Sequence, residues 1–402
     1  MRITTDVHEW GGGPVRRLLI ISFSNITKDA RVLKQVREFS ADWEISTCGY
    51  GPKPEGATHH FEIPSNVLHW AYNRKRIVLR QYQRAYWTNG AVAAANGLLS
   101  GGTWDVVLAN DFDTVPLALS LRPTCGVHAD LHEYAPREKE ELLHWRMFLA
   151  PFRRWICRTY LPRCASVTTV GQGLAREYER EFGVRAGVVM NAAPYAELDA
   201  RPVGGSIRLV HSGAALRNRK LEVMLEAVHE SRADVTFDLY LMDNDPGYLS
   251  ELRARFEGDP RIAFHEPVPY DRLIRLLNRY DVGIYVLAPV SFNHLHALPN
   301  KLFDFVQARL GIIIGPSPEM AGVVNAHALG AVTSGFESDD LAQVLETLDP
   351  GTVEAWKRSS AGAAAALADG PQNARWREAI DLLVEPARRG DGTQGDASRG
   401  QV

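Results

Sequence analysis

Short continuous apolar runs recur along this chain, each followed by a polar loop and then by apolar residues at helical spacing. The first run, Arg17–Phe23 (RLLIISF), leads through the loop SNITKDA into Val32, Leu33, Val36 and Phe39. A run without polar interruption is what a strand buried on both faces shows. Trp43–Thr47, Trp104–Leu108, Gly126–Ala129, Ser166–Val170 and Gly187–Met190 continue the series, with long helical stretches at about 67–99 and again before 166. Strands alternating with helices predict a parallel sheet covered on both faces.

The rhythm lapses between Asn191 and Gly205, in AAPYAELDARPVGG, then restarts with strands expected at Ile207–His211, Thr236–Leu241, Arg261–Phe264, Asp281–Leu287 and Gly311–Gly315. Such a lapse predicts a domain boundary. The expected organisation is an N-terminal extension at 1–15, a first α/β domain at 16–195 and a second at 206–370. A helix at 371–386 is expected to cross back to the first domain. The polar stretch 387–402, with almost no apolar side chains, is expected to be disordered. Two βα domains of similar size predict a ligand cleft between them, faced by loops at the carboxyl ends of the strands.

Composition narrows the function classes. The 402 residues carry 45 Lys+Arg against 48 Asp+Glu, a formal charge of −3, which speaks against a dedicated nucleic-acid binder. No apolar run is long enough to span a bilayer, and the N-terminus lacks the pattern of a cleavable signal. The expectation is a cytoplasmic protein, with peripheral contact to the inner face of the membrane left open. Cys48, Cys125, Cys157 and Cys164 show neither disulfide-framework nor zinc-ligand spacing, so buried thiols are expected.

The most informative stretch is His296–Gly311 (HALPNKLFDFVQARLG), followed by IIIG and by PSPEM from Pro316. Pro and Asn just before a periodic run mark a helix start. Free amides near Asn300, Lys301 and Leu302 would then form an anion site at the positive end of the helix dipole. Lys301 adds a full charge there, and Asp304, one turn on, can accept hydrogen bonds from a sugar diol. An ordinary capped helix with a solvated lysine would give the same residues.

This stretch resembles the nucleotide-sugar signature of the family 4 and family 4-like retaining glycosyltransferases of the GT-B fold, approximately PNK(L/F)FEY…G(L)P(V)I…PEM. Asp304 stands at the second Glu of that family's Glu-x7-Glu pair and His296 at the first, so both positions depart from the pattern. The resemblance implies a GT-B architecture of two Rossmann-like domains with parallel sheets facing a central cleft. It places His296, Leu298, Asn300, Lys301, Leu302 and Asp304 on the donor. IRLVHSG from Ile207 and LRNRKLE from Leu216 are similar to the family's strand, Gly turn and basic loop, implying Arg219 on the donor diphosphate with Arg217 and Lys220 as neighbours. The turns at Met242 and Val268 fall where the family holds the nucleobase. In the first half, NITKDARV from Asn25, NDFDTVP from Asn110 and DLHE from Asp130 resemble acceptor-side loops. Asp130, His132 and Glu133 are the implied catalytic group, orienting the attacking hydroxyl or shuttling its proton.

The implied activity is transfer of a hexose-type sugar from a nucleoside-diphosphate-sugar to a hydroxyl of a glycan, glycolipid or natural product, with retention and without metal or other cofactor. Two readings compete: a nucleotide-sugar 2-epimerase of the same fold, which leaves the sugar on the nucleotide, and a catalytically silent GT-B-like binding module. Asp111-Phe-Asp113 and Asp243-Asn-Asp245 have the Asp-x-Asp form that holds a divalent cation in metal-dependent transferases; both are read as turns, and no metal ligand is assigned. The basic aromatic stretches 74–87 and 144–163 fit either a helix lying on an anionic membrane or one packed on the sheet with snorkelling arginines. The core reading is preferred.

Overall fold

The structure, a computed structural model, describes residues 16–385; the expected extension at 1–15 and tail at 387–402 lie outside the described residues. Seven strands form the first sheet: β1 (Arg16–Asn25), β2 (Trp43–Tyr50), β3 (His59–Glu62), β4 (Val106–Asn110), β5 (Gly126–Leu131), β6 (Ser166–Thr169) and β7 (Gly187–Val188). All pairings are parallel, in the order β3-β2-β1-β4-β5-β6-β7. The uninterrupted apolar run of β1 follows from this architecture. Leu19 and Ile21 pack on one face with Tyr86 and Phe152, while Leu18 and Ile20 pack on the other with Val32, Phe39 and Trp376. Neither face meets water, so neither can carry alternating polar residues.

The second sheet comprises β8 (Ile207–Ala214), β9 (Val235–Met242), β10 (Ile262–His265), β11 (Val282–Tyr285), β12 (Gly311–Ile314) and β13 (Gly330–Val332). It too is parallel, ordered β10-β9-β8-β11-β12-β13. In each sheet the order reverses beside its first strand, between β1 and β4 and between β8 and β11. A crevice therefore opens at the carboxyl ends of those strands, where doubly wound sheets bind ligands.

The chain passes between the two sheets twice. Residues 189–206 run without helix or strand, and later the backbone amide of Asp369 donates to the Ala193 carbonyl at 2.9 Å. The helix Asp369–Val384 then lies on the first sheet's side, with Trp376 and Ile380 buried among Val32, Phe39 and Trp43. Arg377 ties it down through Glu38 and Asp42, each at 2.8 Å.

Several elements differ from the periodicity. The stretch at 67–99 is three short helices, Arg74–Val78, Tyr82–Trp87 and Gly90–Leu98. Asn73 and Asn89 accept amide hydrogen bonds at two of their starts, and Arg80 takes a left-handed φ of 53° between them. Asparagine side chains that bond the backbone end one helix and begin another. β3 (HHFE) carries no apolar run because it is a short strand at a sheet edge. The two basic aromatic stretches divide: Tyr86, Trp145, Phe152, Ile156 and Tyr160 are core, but Val78, Met147 and Phe148 are exposed.

Candidate active site

A cavity of about 550 Å³ lies at the carboxyl ends of β8, β9 and β11, against the start of the helix Asn300–Gln307. Next to the last residue of β8 is Gly213, whose φ of 148° a side chain rarely adopts; a Cβ there would also strike the Lys301 ammonium. Lys301 Nζ donates to the Ser212 carbonyl and lies 5.1 Å from the centroid of the Tyr285 ring. Arg219 Nη1 donates to the Tyr285 hydroxyl at 2.6 Å, while its buried Nε has no partner among the described residues. Burial, and then the neighbouring Arg219 charge, push Lys301 down to about 8. Pro299 at the helix cap has no side chain that bonds the first amides, and those of Asn300 and Lys301 find no acceptor among the described residues. Asp304, the one carboxylate lining this cavity, accepts a 2.9 Å hydrogen bond from the Tyr270 hydroxyl, and burial raises it to about 6.

Met242 and Val268 line the same cavity, but not every expected donor residue does. Arg217 turns away into a bidentate pair with Glu251, at 2.7 and 2.8 Å. Lys220 adopts a left-handed φ of 48° and is exposed outside the cavity. Leu298 and Leu302 point into the hydrophobic core, and the Leu302 amide is taken by the Pro299 carbonyl at 3.2 Å. His296 lies away from the cavity, its Nδ1 3.4 Å from Glu319 Oε1. Glu319 in turn accepts the amides of Gln172 at 2.9 Å and Gly173 at 2.6 Å, so a carboxylate beyond β12 caps a first-domain helix, Gln172–Phe182. A Cβ on Gly173 would overlap the His296 ring and the Glu319 carboxylate. Gly173→Ala is therefore expected to cost about 1–3 kcal/mol, the range for overpacking, read as a lower urea midpoint. An unchanged midpoint would mean that the clamp yields.

On the first-domain side, a cavity of about 510 Å³ shares Asn191 and Asn300 with the one just described. It also shares Ser24, Asp29 and His132 with a further cavity of about 670 Å³, so the three form one cleft. His132 lies where the 510 and 670 Å³ cavities meet. Its Nδ1 is 3.3 Å from Asp111 Oδ2, and its Nε2 is 3.6 Å from Asp130 Oδ2. Burial works against the imidazolium, but the Asp111 and Asp130 carboxylates outweigh it and raise the His132 pKa. Asp111 holds a left-handed φ of 64° while accepting the His132 amide at 2.9 Å.

Asp130 is not in the cleft wall. It ends inside β5, fully buried, and accepts from Arg31 Nε and Nη2 at 2.7 Å each, from Gln35 at 2.8 Å and from Thr168 at 2.7 Å. Burial would raise its pKa, yet the Arg31 guanidinium and His132 hold it well below the usual carboxylate range. Glu133 opens onto the 670 Å³ cavity, where desolvation, with Glu138 and Asp111 nearby, raises it to about 7. Asp113, buried in that cavity's wall, is raised to about 7 by burial and by Asp111. Tyr270, Tyr285 and Asn191 were not expected in the site; the turn HEPVPYD and the strand DVGIYVL contain the two tyrosines but carry no signal of which side chain faces the cleft.

No protein-family model matches the chain, and no curated protein sequence matches it. Solved structures do. One described as trehalose-6-phosphate from E. coli bound with UDP-2-fluoro glucose is similar over 92% of this chain and 99% of its own, with TM-score 0.68 and 12% identity. HepE of Anabaena in complex with UDP-glucose is similar over 91% and 99%, with TM-score 0.66 and 12% identity. Sucrose-phosphate synthase from Thermosynechococcus elongatus is similar over 92% and 99%, with TM-score 0.64 and 12% identity. At that identity the likeness is one of fold, and the fold is GT-B: two parallel-sheet α/β domains facing a cleft.

Proposed function

We propose that the protein is a glycosyltransferase that moves a hexose-type sugar from a nucleoside-diphosphate-sugar to an acceptor hydroxyl, retaining the anomeric configuration and using no metal. One observation carries this reading. Arg219, Lys301 and two unpartnered helix amides meet in one cavity whose single lining carboxylate is held by a tyrosine. Two cations and two free amides against a single carboxylate leave an excess of positive potential, unfavourable in an empty site and favourable when a dianion enters. UDP-sugars occupy two of the similar solved structures, which supports the donor class.

Departure of a nucleoside diphosphate concentrates negative charge, and fixed cations stabilise it without reorganising at the moment of reaction. As the bond from C1 to the diphosphate oxygen breaks, the acceptor oxygen bonds C1 from the same face, and its proton passes to a diphosphate oxygen. No protein nucleophile takes part. Asp304 and Tyr270 receive the ribose diol. His132, held between the Asp111 and Asp130 carboxylates, faces the reacting sugar across the cleft, and Asp130 acts through it as a positioning residue. Glu133 faces the acceptor. Closure of the two domains limits hydrolysis by excluding water.

The test is thermal unfolding with UDP, GDP, ADP and TDP, with and without EDTA, since a ligand that binds only the folded state raises Tm. A rise with one nucleotide that survives EDTA is expected. No rise with any favours the silent binding module, and a rise abolished by EDTA returns an Asp-x-Asp triplet as a metal site. Incubation with the matching donor then separates transfer from epimerisation: nucleotide release accompanies the first, whereas an inverted sugar still on its nucleotide marks the second.

A further inference from the structure

The first domain exposes large apolar side chains where a folded protein has no reason to leave them. Leu79 is 67% exposed, Leu143 61%, Met147 56% and Val78 55%. They come from two segments far apart in sequence that the fold brings together: the helix Arg74–Val78 lies against the π-helical turn Trp145–Leu149. Ile77 and Trp145 are the buried anchors of these two turns, so the apolar residues beside them face outward by construction. Exposed apolar side chains gathered on two neighbouring elements in this way mark an interaction site.

The charge around the patch identifies the partner. Residues 68–80 contain Arg74, Lys75, Arg76 and Arg80 and no carboxylate; residues 137–149 contain Arg137, Lys139 and Arg146 with Glu138, Glu140 and Glu141, of which Glu138 is paired with Arg153 and Glu140 with Arg137, so the cations are in excess. A second copy of this chain docking face to face would set these cations against their own counterparts. An anionic lipid surface answers both features, taking the apolar side chains below its headgroups and the cations at their level. No helix among the described residues is long and apolar enough to cross a membrane, so the contact lies on one leaflet. The patch also adjoins the cleft: Trp70, 64% exposed, and Lys139 line the 670 Å³ cavity, as do His132 and Glu133.

We infer that this face docks the protein on an anionic bilayer and presents the first-domain cavity to an acceptor held in that bilayer. The docking stands on the patch alone, whereas the acceptor statement rests on the transferase reading. The test is co-sedimentation of the full chain with vesicles of phosphatidylcholine alone or mixed with phosphatidylglycerol. Binding to the mixed vesicles that weakens with salt is expected. Replacing Arg74, Lys75 and Arg80 together with Glu should lower partitioning by about a hundredfold or more, since each lost cation counts for roughly a factor of five. Leu79→Asp with Met147→Asp should lower it by about tenfold or more. Both variants replace exposed side chains, and unchanged melting temperatures would show that the fold is kept. Equal partitioning of wild type and variants, or no binding to either vesicle, overturns the proposal. So does sedimentation velocity showing a dimer that the Leu79→Asp, Met147→Asp variant abolishes. If vesicles bind but no sugar is transferred to any lipid, docking stands and the bilayer-held acceptor fails; the transferase reading itself fails only if the donor is not turned over with any acceptor.

Discussion

Asp130→Ala is expected to lower stability by about 3–5 kcal/mol, the cost of removing one partner of a buried ion pair. The reason is what the substitution leaves behind. Arg31, almost wholly buried, would keep its charge with only the Val189 carbonyl, the Asn191 side chain and the face of Trp376 as company. Those three groups belong to the segment leading out of the first domain and to the returning C-terminal helix, so the loss would loosen both crossings as well as the first sheet. Urea unfolding of the variant measures it, and a change below about 1 kcal/mol would show that Arg31 finds water instead. The pH dependence has a definite sign. A carboxyl held below its unfolded value contributes stability above the ordinary carboxylate range, near 4, and loses it as pH falls toward its own lower pKa. The wild type should therefore lose stability in acid more steeply than Asp130→Asn.

Lys301→Ala and Arg219→Ala are each expected to weaken nucleoside diphosphate binding by about 1.5–3 kcal/mol, the range for hydrogen bonds to charged groups, or roughly tenfold to a hundredfold in Kd. Calorimetry reads this directly, and wild-type affinity in both variants would remove the anion site. The two cations are separable by pH. Lys301, pushed down to about 8 by burial and by Arg219, is charged below that pH and loses its proton above it. Diphosphate affinity in the wild type should fall as pH rises past about 8, and Lys301→Met should abolish that fall, because arginine stays charged throughout. His132→Ala should instead reduce turnover while leaving the fold intact, unlike substitution of Asp130.

How much of this could be read from the chain depends on how local the cause is. Lys301 and Asp304 were legible because a helix start and a one-turn spacing fix both within five residues. The basic loop was legible only as a group. Arg217, Arg219 and Lys220 look equivalent in sequence, but a tight turn followed by a left-handed residue sends them in three directions, and Glu251 claims the first. His296 illustrates a different limit, since its partner Glu319 lies on another helix and is itself held by first-domain amides. Asp130 was expected in a turn. It is the fifth residue of a buried strand, and the groups that surround it come from positions 31, 35 and 168. The parallel sheets themselves were plain, because strands covered on both sides must be apolar throughout, whereas edge strands such as β3 need not be.

The returning helix Asp369–Val384 has a consequence for synthesis on the ribosome. One face of the first sheet, with Leu18 and Ile20, is covered in part by Val32 and Phe39 of the helix after β1 and closed by Trp376 and Ile380. Those residues are translated about 190 positions after the first sheet is complete, an interval of about 10–40 s at ordinary elongation rates of roughly 5–20 residues per second. For that time the nascent first domain carries an open apolar face that only the end of its own chain can cover, and it is then that a chaperone has something to hold.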